Sequence, residues 1–151
     1  MPNTPIQDAV NFVYTALIAR TPAPLPGQPH ADLAALGVVK IALNEPSAPY
    51  YNFITVRYNG FREIESNGLL EVDVLVDVWS AETMTAPYAP DARFAVRVEK
   101  IAALIRQTCC DGTVLEVGDM ASSPPQLRET DNKRYFYNAQ ITVPVVIGGG
   151  A

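Results

Sequence analysis

The strongest pattern of apolar and polar positions covers residues 69–80, LLEVDVLVDVWS. Val72, Val74, Val76 and Val78 fall on one side, and Leu70 continues that row. Glu71, Asp73, Leu75, Asp77 and Trp79 fall on the other. A period of two with β-branched residues along one side predicts a strand with one face in a core. No other stretch is as regular, so it is expected to be the central strand of a single sheet.

The remaining patterns arrange themselves around it. Thr4-Pro5-Ile6-Gln7 predicts a helix start, with Thr4 as cap, Pro5 in the first turn and Gln7 closing a capping box. Ile6, Val10, Val13 and Leu17 follow at helical spacing, and the helix is expected to reach about residue 20. Residues 21–30, TPAPLPGQPH, hold too many prolines for helix or sheet and predict an extended arm. Short strands are expected at 38–43 and 53–58, with a turn over 44–49. Asn59-Gly60 is a hairpin dipeptide, 61–65 can continue beyond it, and Asn67-Gly68 marks a second turn or bulge. The stretch 53–79 therefore reads as a hairpin.

A loop is expected at 80–90. Asp91 can cap a second helix, whose apolar stripe is Phe94, Val98, Ile101 and Ile105 and which ends near Cys110. A short strand at 113–117, a polar loop at 118–130 and a long strand at 134–146 complete the pattern, with residues 148–150 as a flexible tail. Tyr135, Tyr137, Ala139, Ile141, Val143 and Val145 share one face of the last strand. Phe136, Asn138, Gln140 and Thr142 share the other. Pro144 cannot donate to a ladder and is expected at an edge or past the pairing. The predicted fold is α+β, in the order α-β-β-β-α-β-β: one mostly antiparallel sheet with two helices packed on one face.

At 151 residues the chain is expected to form one domain. Its net charge of −5 speaks against nucleic acid or an anionic membrane surface as a main partner. No apolar run reaches the length of a membrane span, and the N-terminus lacks the basic-then-apolar pattern of a signal peptide. The two cysteines, Cys109 and Cys110, are adjacent and are expected to be reduced, packed thiols in a cytosolic setting.

Chemistry-bearing patterns are sparse. His30 is the single histidine and lies in the proline-rich arm, with no nucleophile on a rigid element nearby. Phosphate-binding, dinucleotide-binding and metal-binding motifs do not occur. Glu71, Asp73 and Asp77 share a strand face, which allows a small carboxylate-dependent enzyme as a reading of a different class. Strand alternation alone explains them as a solvated or subunit-facing surface. No catalytic, cofactor or metal-ligating residue is assigned. Two aromatic groups, Tyr50 to Phe61 and Tyr135 to Tyr137, are not interleaved with basic clusters, so a nucleic-acid stacking platform is not expected. Tyr135 and Phe136 must point to opposite faces, so at least one aromatic is expected to meet a partner.

Residues 39–58, VKIALNEPSAPYYNFITVRY, carry a short strand, an Asn- and Pro-containing turn, the Pro49-Tyr50 step and a second strand. A long acidic-apolar strand ending in Val78-Trp79-Ser80, an amphipathic helix and a charged loop into an aromatic strand follow. In this order and kind, over about residues 6–146, the chain resembles the neck and tail-terminator proteins of tailed bacteriophages. The resemblance implies a small α/β virion subunit, made in the host cytoplasm, that forms a hexameric ring. The ring would sit on the head-proximal end of the tail tube, end tube polymerisation and meet a head-completion or connector protein. DNA would be passing cargo, with no catalysis and no cofactor. Another connector, head-completion or baseplate component is the alternative within the same class. On this reading Glu71, Asp73 and Asp77 are candidates for an acidic lumen. Pro24, Pro26 and His30 in the arm, Trp79, Tyr88 in the 80–90 loop, and Arg128, Lys133 and Arg134 are candidates for contacts with neighbouring subunits or the tube.

Overall fold

The computed structural model describes residues 4–20, 25–43, 52–64, 68–83, 89–110, 113–131 and 134–148. Helix α1, Pro5–Leu17, begins with the predicted capping box. The Gln7 N–H donates to Thr4 Oγ1 at 3.2 Å, and the Thr4 N–H donates to Gln7 Oε1 at 2.9 Å. The helix stops at Leu17 rather than at residue 20 because the chain leaves it to pair with the arm. Ile18 bridges Pro29, the Ala19 N–H donates to the Gln28 carbonyl, and the His30 N–H donates to the Leu17 carbonyl. The arm is thus partly folded back on its own molecule. It leads into a short helix α2, Ala31–Ala35, too brief to show a period in the sequence.

Among the described residues seven strands form one sheet: β1 (Lys40–Leu43), β2 (Phe53–Glu63), β3 (Leu69–Thr83), β4 (Val114–Val117), β5 (Ala121–Ser122), β6 (Gln126–Asp131) and β7 (Arg134–Gly148). Helix α3, Pro90–Gln107, separates β3 from β4. The order across the sheet is β1-β2-β3-β7-β4, with β5 and β6 also pairing β7. The fold is α+β, with three helices among the described residues where two were expected, and with β5 and most of β6 inside the predicted 118–130 loop. Every pairing is antiparallel except β1 with β2, which is parallel from Lys40↔Phe53 to Leu43↔Val56.

The predicted hairpin forms, with its reversal at the second of the two expected sites, around Gly68, and not at Asn59-Gly60. Asn59-Gly60 lies inside β2 as a bulge: the register passes from Tyr58↔Val74 to Phe61↔Val72, with Gly60 at φ +108°. The reversal falls between Ile64 and Leu69, where the Ile64 N–H donates to the Leu69 carbonyl. Gly68 (φ +89°) takes a left-handed conformation there.

Pro144 sits within β7, opposite Asp73 of β3, and not at the strand's end. Its carbonyl accepts from the Gly118 N–H at 2.8 Å, so its edge faces the outer strands. The ring has no N–H to offer there, and the outer partner is interrupted opposite it, between β4 and β5.

The core lies between one sheet face and the helices. Val72, Val74, Val76 and Val78 meet Val145, Val143, Ile141 and Ala139 across the β3–β7 register. Ala9, Val10, Val13 and Leu17 of α1 and Phe94, Ile101 and Ile105 of α3 close over them, as the two stripes predict. Phe12 joins from α1, and Phe94 stacks on Tyr137 at 5.5 Å. The expected cap Asp91 is inside α3, which starts at Pro90 after Ala89 without a side-chain cap.

The same core face of β3 ends in polar residues. Glu82 is 1% exposed, and both its oxygens lie 3.0 Å from Nε of Arg97 on α3. Beside them Asn52, at φ +66°, accepts the Ala81 N–H and the Ser80 hydroxyl where β2 has not yet begun.

Both sheet edges are blunted. At β1 the Ile41 N–H donates to the Gly27 carbonyl, so the arm occupies one position of that edge. Gly27 (φ +78°) is required there: a Cβ would stand 2.8 Å from the Ile41 carbonyl oxygen. At β6 a bulge falls between Leu127 and Glu129, and the strand is exposed and rich in charge.

Two outcomes follow for stability. Arg97→Leu leaves a buried carboxylate without its cation and should cost about 3–5 kcal/mol by urea unfolding, whereas Glu82→Leu with Arg97→Leu should cost less. Gly27→Ala should cost about 1–3 kcal/mol by the same measurement, from the positive φ and the close carbonyl.

Candidate interaction surfaces

All three helices contribute to the core on the same side of the sheet, through residues such as Val13, Leu33 and Ile101. Among the described residues no helix covers the other face. By register, one straight row across it is Lys40, Phe53, Trp79, Asn138 and Gln126. The next row holds Ala42, Thr55, Asp77 and Gln140.

Cations lie over the aromatic rings on this face. Lys40 Nζ is 5.6 Å from the Phe53 ring centre, Arg128 is 6.0 Å from that of Trp79, and Arg134 is 5.5 Å from that of Phe136. These contacts were hidden in the sequence because Lys40 and Arg128 reach their rings across strands. Only Arg134, two residues before Phe136, shows the spacing along one strand. Contacts of this kind contribute about 0.5–1 kcal/mol each at exposed sites. They also place the chain's own cations on the ring faces that a nucleobase would need.

Asp77 does not reach the surface with its neighbours. It is 1% exposed, and Asn138 Nδ2 donates to its Oδ1 at 2.7 Å and to the Val78 carbonyl at 3.1 Å. Arg128 Nη2 donates to Asn138 Oδ1 at 3.4 Å, linking the buried carboxylate to the Arg128–Trp79 pair. Asp77 Oδ2, Thr55 Oγ1 and Arg57 Nε are buried with no hydrogen-bond partner among the described residues. A polar strip therefore runs through the middle of this face. Of the three carboxylates expected to form an acidic surface, Asp73 is partly exposed, and Glu71, its side chain 16% exposed, pairs with Arg62. The three do not converge on a common point: they spread along β3, and no described group of acids, histidines and cysteines has metal-binding geometry.

The other expected contact residues are dispersed. Pro26 is exposed in the arm turn beside Gly27. His30 is half-buried and caps α2, its Nδ1 accepting from the Asp32 N–H at 3.0 Å. Trp79 is half-buried, and Arg128 and Arg134 are exposed. Pro24, Tyr88 and Lys133 lie outside the described residues, as do Tyr50 and Tyr51. Cys109 and Cys110 are free thiols just beyond the end of α3, and both are exposed rather than packed. No described helix is long and apolar enough to cross a membrane.

A second kind of surface lies at the ends of the sheet. Tyr58, Phe61 and Ile64 are exposed at the hairpin end of β2, and Leu25 and Val39 are exposed at the arm end.

No model of a known protein family matches the chain, and no curated protein matches it in sequence.

The polar strip depends on Asn138. Asn138→Ala removes the described donor to a buried carboxylate and should lower stability by about 2–3 kcal/mol in urea unfolding. The far-UV circular dichroism spectrum should stay unchanged.

Proposed function

We propose that the chain is a structural subunit of a bacteriophage tail or neck, and specifically a ring-forming tail terminator. The observation that carries this reading is the arrangement of surfaces. Helices cover one sheet face, the opposite face carries a row of cation–aromatic pairs, and apolar side chains stand exposed at both ends of the sheet. Such a body has several side-chain surfaces suited to neighbours. Two of the three carboxylates sharing the outer face of β3 are engaged, Asp77 by Asn138 and Glu71 by Arg62, and Glu82 on the opposite face is held by Arg97. This favours assembly over acid–base chemistry. The order of elements around β3 supports the resemblance to neck and tail-terminator proteins.

The partners on this reading are further copies of the chain, a tail-tube protein and a head-completion or connector protein. Asp73 remains the carboxylate available to an acidic lumen, with Glu71 held by Arg62, and Arg128 and Arg134 remain candidates for subunit or tube contacts.

Light scattering on the purified protein should give the mass of a closed oligomer, and negative-stain images should show rings that bind one end of isolated tail tubes. A monomer at high concentration with no affinity for tubes would sink the proposal. Binding to a baseplate end would move it to the alternative component.

A further inference from the structure

The two apolar ends of the sheet differ in shape and in charge. At the hairpin end, Tyr58, Phe61 and Ile64 are 40%, 52% and 42% exposed. Tyr58 and Phe61 point by register to the helix side, like Val74 and Val72, yet the helices leave them uncovered. The charges around them are mainly acidic. Glu63 and Asp73 have no ion-pair partner among the described residues, and Arg62 is already paired with Glu71. At the arm end, Leu25 and Val39 are 73% and 70% exposed and flank the Gly27–Ile41 hydrogen bond. The charges there are basic: Lys40 and Arg20 are exposed, while Asp32 is held by Lys100 at 3.7 Å.

β2 runs from one end to the other. Its eleven residues, Phe53–Glu63, separate the two patches by roughly 30 Å. Two different, complementary patches at opposite ends of one molecule cannot satisfy each other within it. They can do so between copies, head to tail, and contacts of that kind generate rings or open chains. The Gly27 contact at β1 and the bulges in β4 and β6 hinder the competing route, strand addition.

We propose that the β2–β3 hairpin end of one copy docks on the arm–β1 end of the next, with Phe61 and Ile64 seated against Leu25 and Val39 and the acidic rim facing Lys40 and Arg20. This names the subunit contact of the proposed ring. It rests on that reading for ring closure and on the two patches for the contact itself.

The test uses two full-length variants, Phe61→Ser with Ile64→Ser, and Leu25→Ser with Val39→Ser. All four positions are exposed, so circular dichroism and melting should match wild type. Each variant alone should lose the oligomer peak in analytical ultracentrifugation. Mixed in equal amounts they should form a one-to-one dimer and stop there, because each pair retains one intact contact. Raising salt from 0.05 to 0.5 M, about a threefold shortening of the screening length, should weaken wild-type assembly. Wild-type rings that either variant forms equally well overturn the docking and leave the ring. Wild-type open chains that both variants break, with dimers on mixing, overturn the ring and leave the docking. Variants that stay apart on mixing overturn the docking, and a monomeric wild type overturns both.

Discussion

The pairing of β3 with β7 is the constraint on which the rest depends. It runs without a break from Leu69↔Gly148 to Thr83↔Arg134. Side chains alternate along both strands, so a slip of one residue would turn every core valine to the opposite face. A slip of β3 would put Asp77 under the helices, away from Asn138, and separate Glu82 from Arg97. Hydrophobic burial and polar pairing therefore select the same register. The β2 bulge, the break between β4 and β5 at Pro144 and the stacking of Phe94 on Tyr137 are all placed relative to that pair of strands.

The two faces of this pair do different work. The inner one is close to purely aliphatic until Ser80 and Glu82, where an ion pair ties it to α3. The outer one is built from a polar strip flanked by aromatic rings with cations above them. Buried polar groups stabilise little by themselves, but leaving them unmatched is costly, and they therefore penalise alternative pairings. The outer face thus has a defined chemical pattern where a solvated sheet would need only general polarity.

Much of the fold could be read in the chain because its signals were periodic. The valine row of β3, the capping box of α1 and the stripes of α1 and α3 depend on neighbours in sequence. What could not be read depends on partners far along the chain. Glu82 is a core residue only because Arg97 stands across from it, fifteen positions later. The Asn59-Gly60 dipeptide has the composition of a turn, yet the long register with β3 makes it a bulge. β6 looked like a charged loop because all its residues are exposed, and only β7 makes it a strand. The candidate surface was legible to the same degree: Trp79 and Arg134 stand out locally, while Lys40 over Phe53 and Asn138 beneath Arg128 require the sheet order.

The arm's contact at the β1 edge has a meaning beyond tidiness. Backbone amides and carbonyls on an open edge recognise any extended chain, whatever its sequence. Here the Gly27 carbonyl occupies one position of one edge and the bulge at Arg128 deforms the other. What is left for recognition is carried by side chains, and side chains can tell one protein from another. A protein built this way can be abundant among unrelated strands without pairing with them.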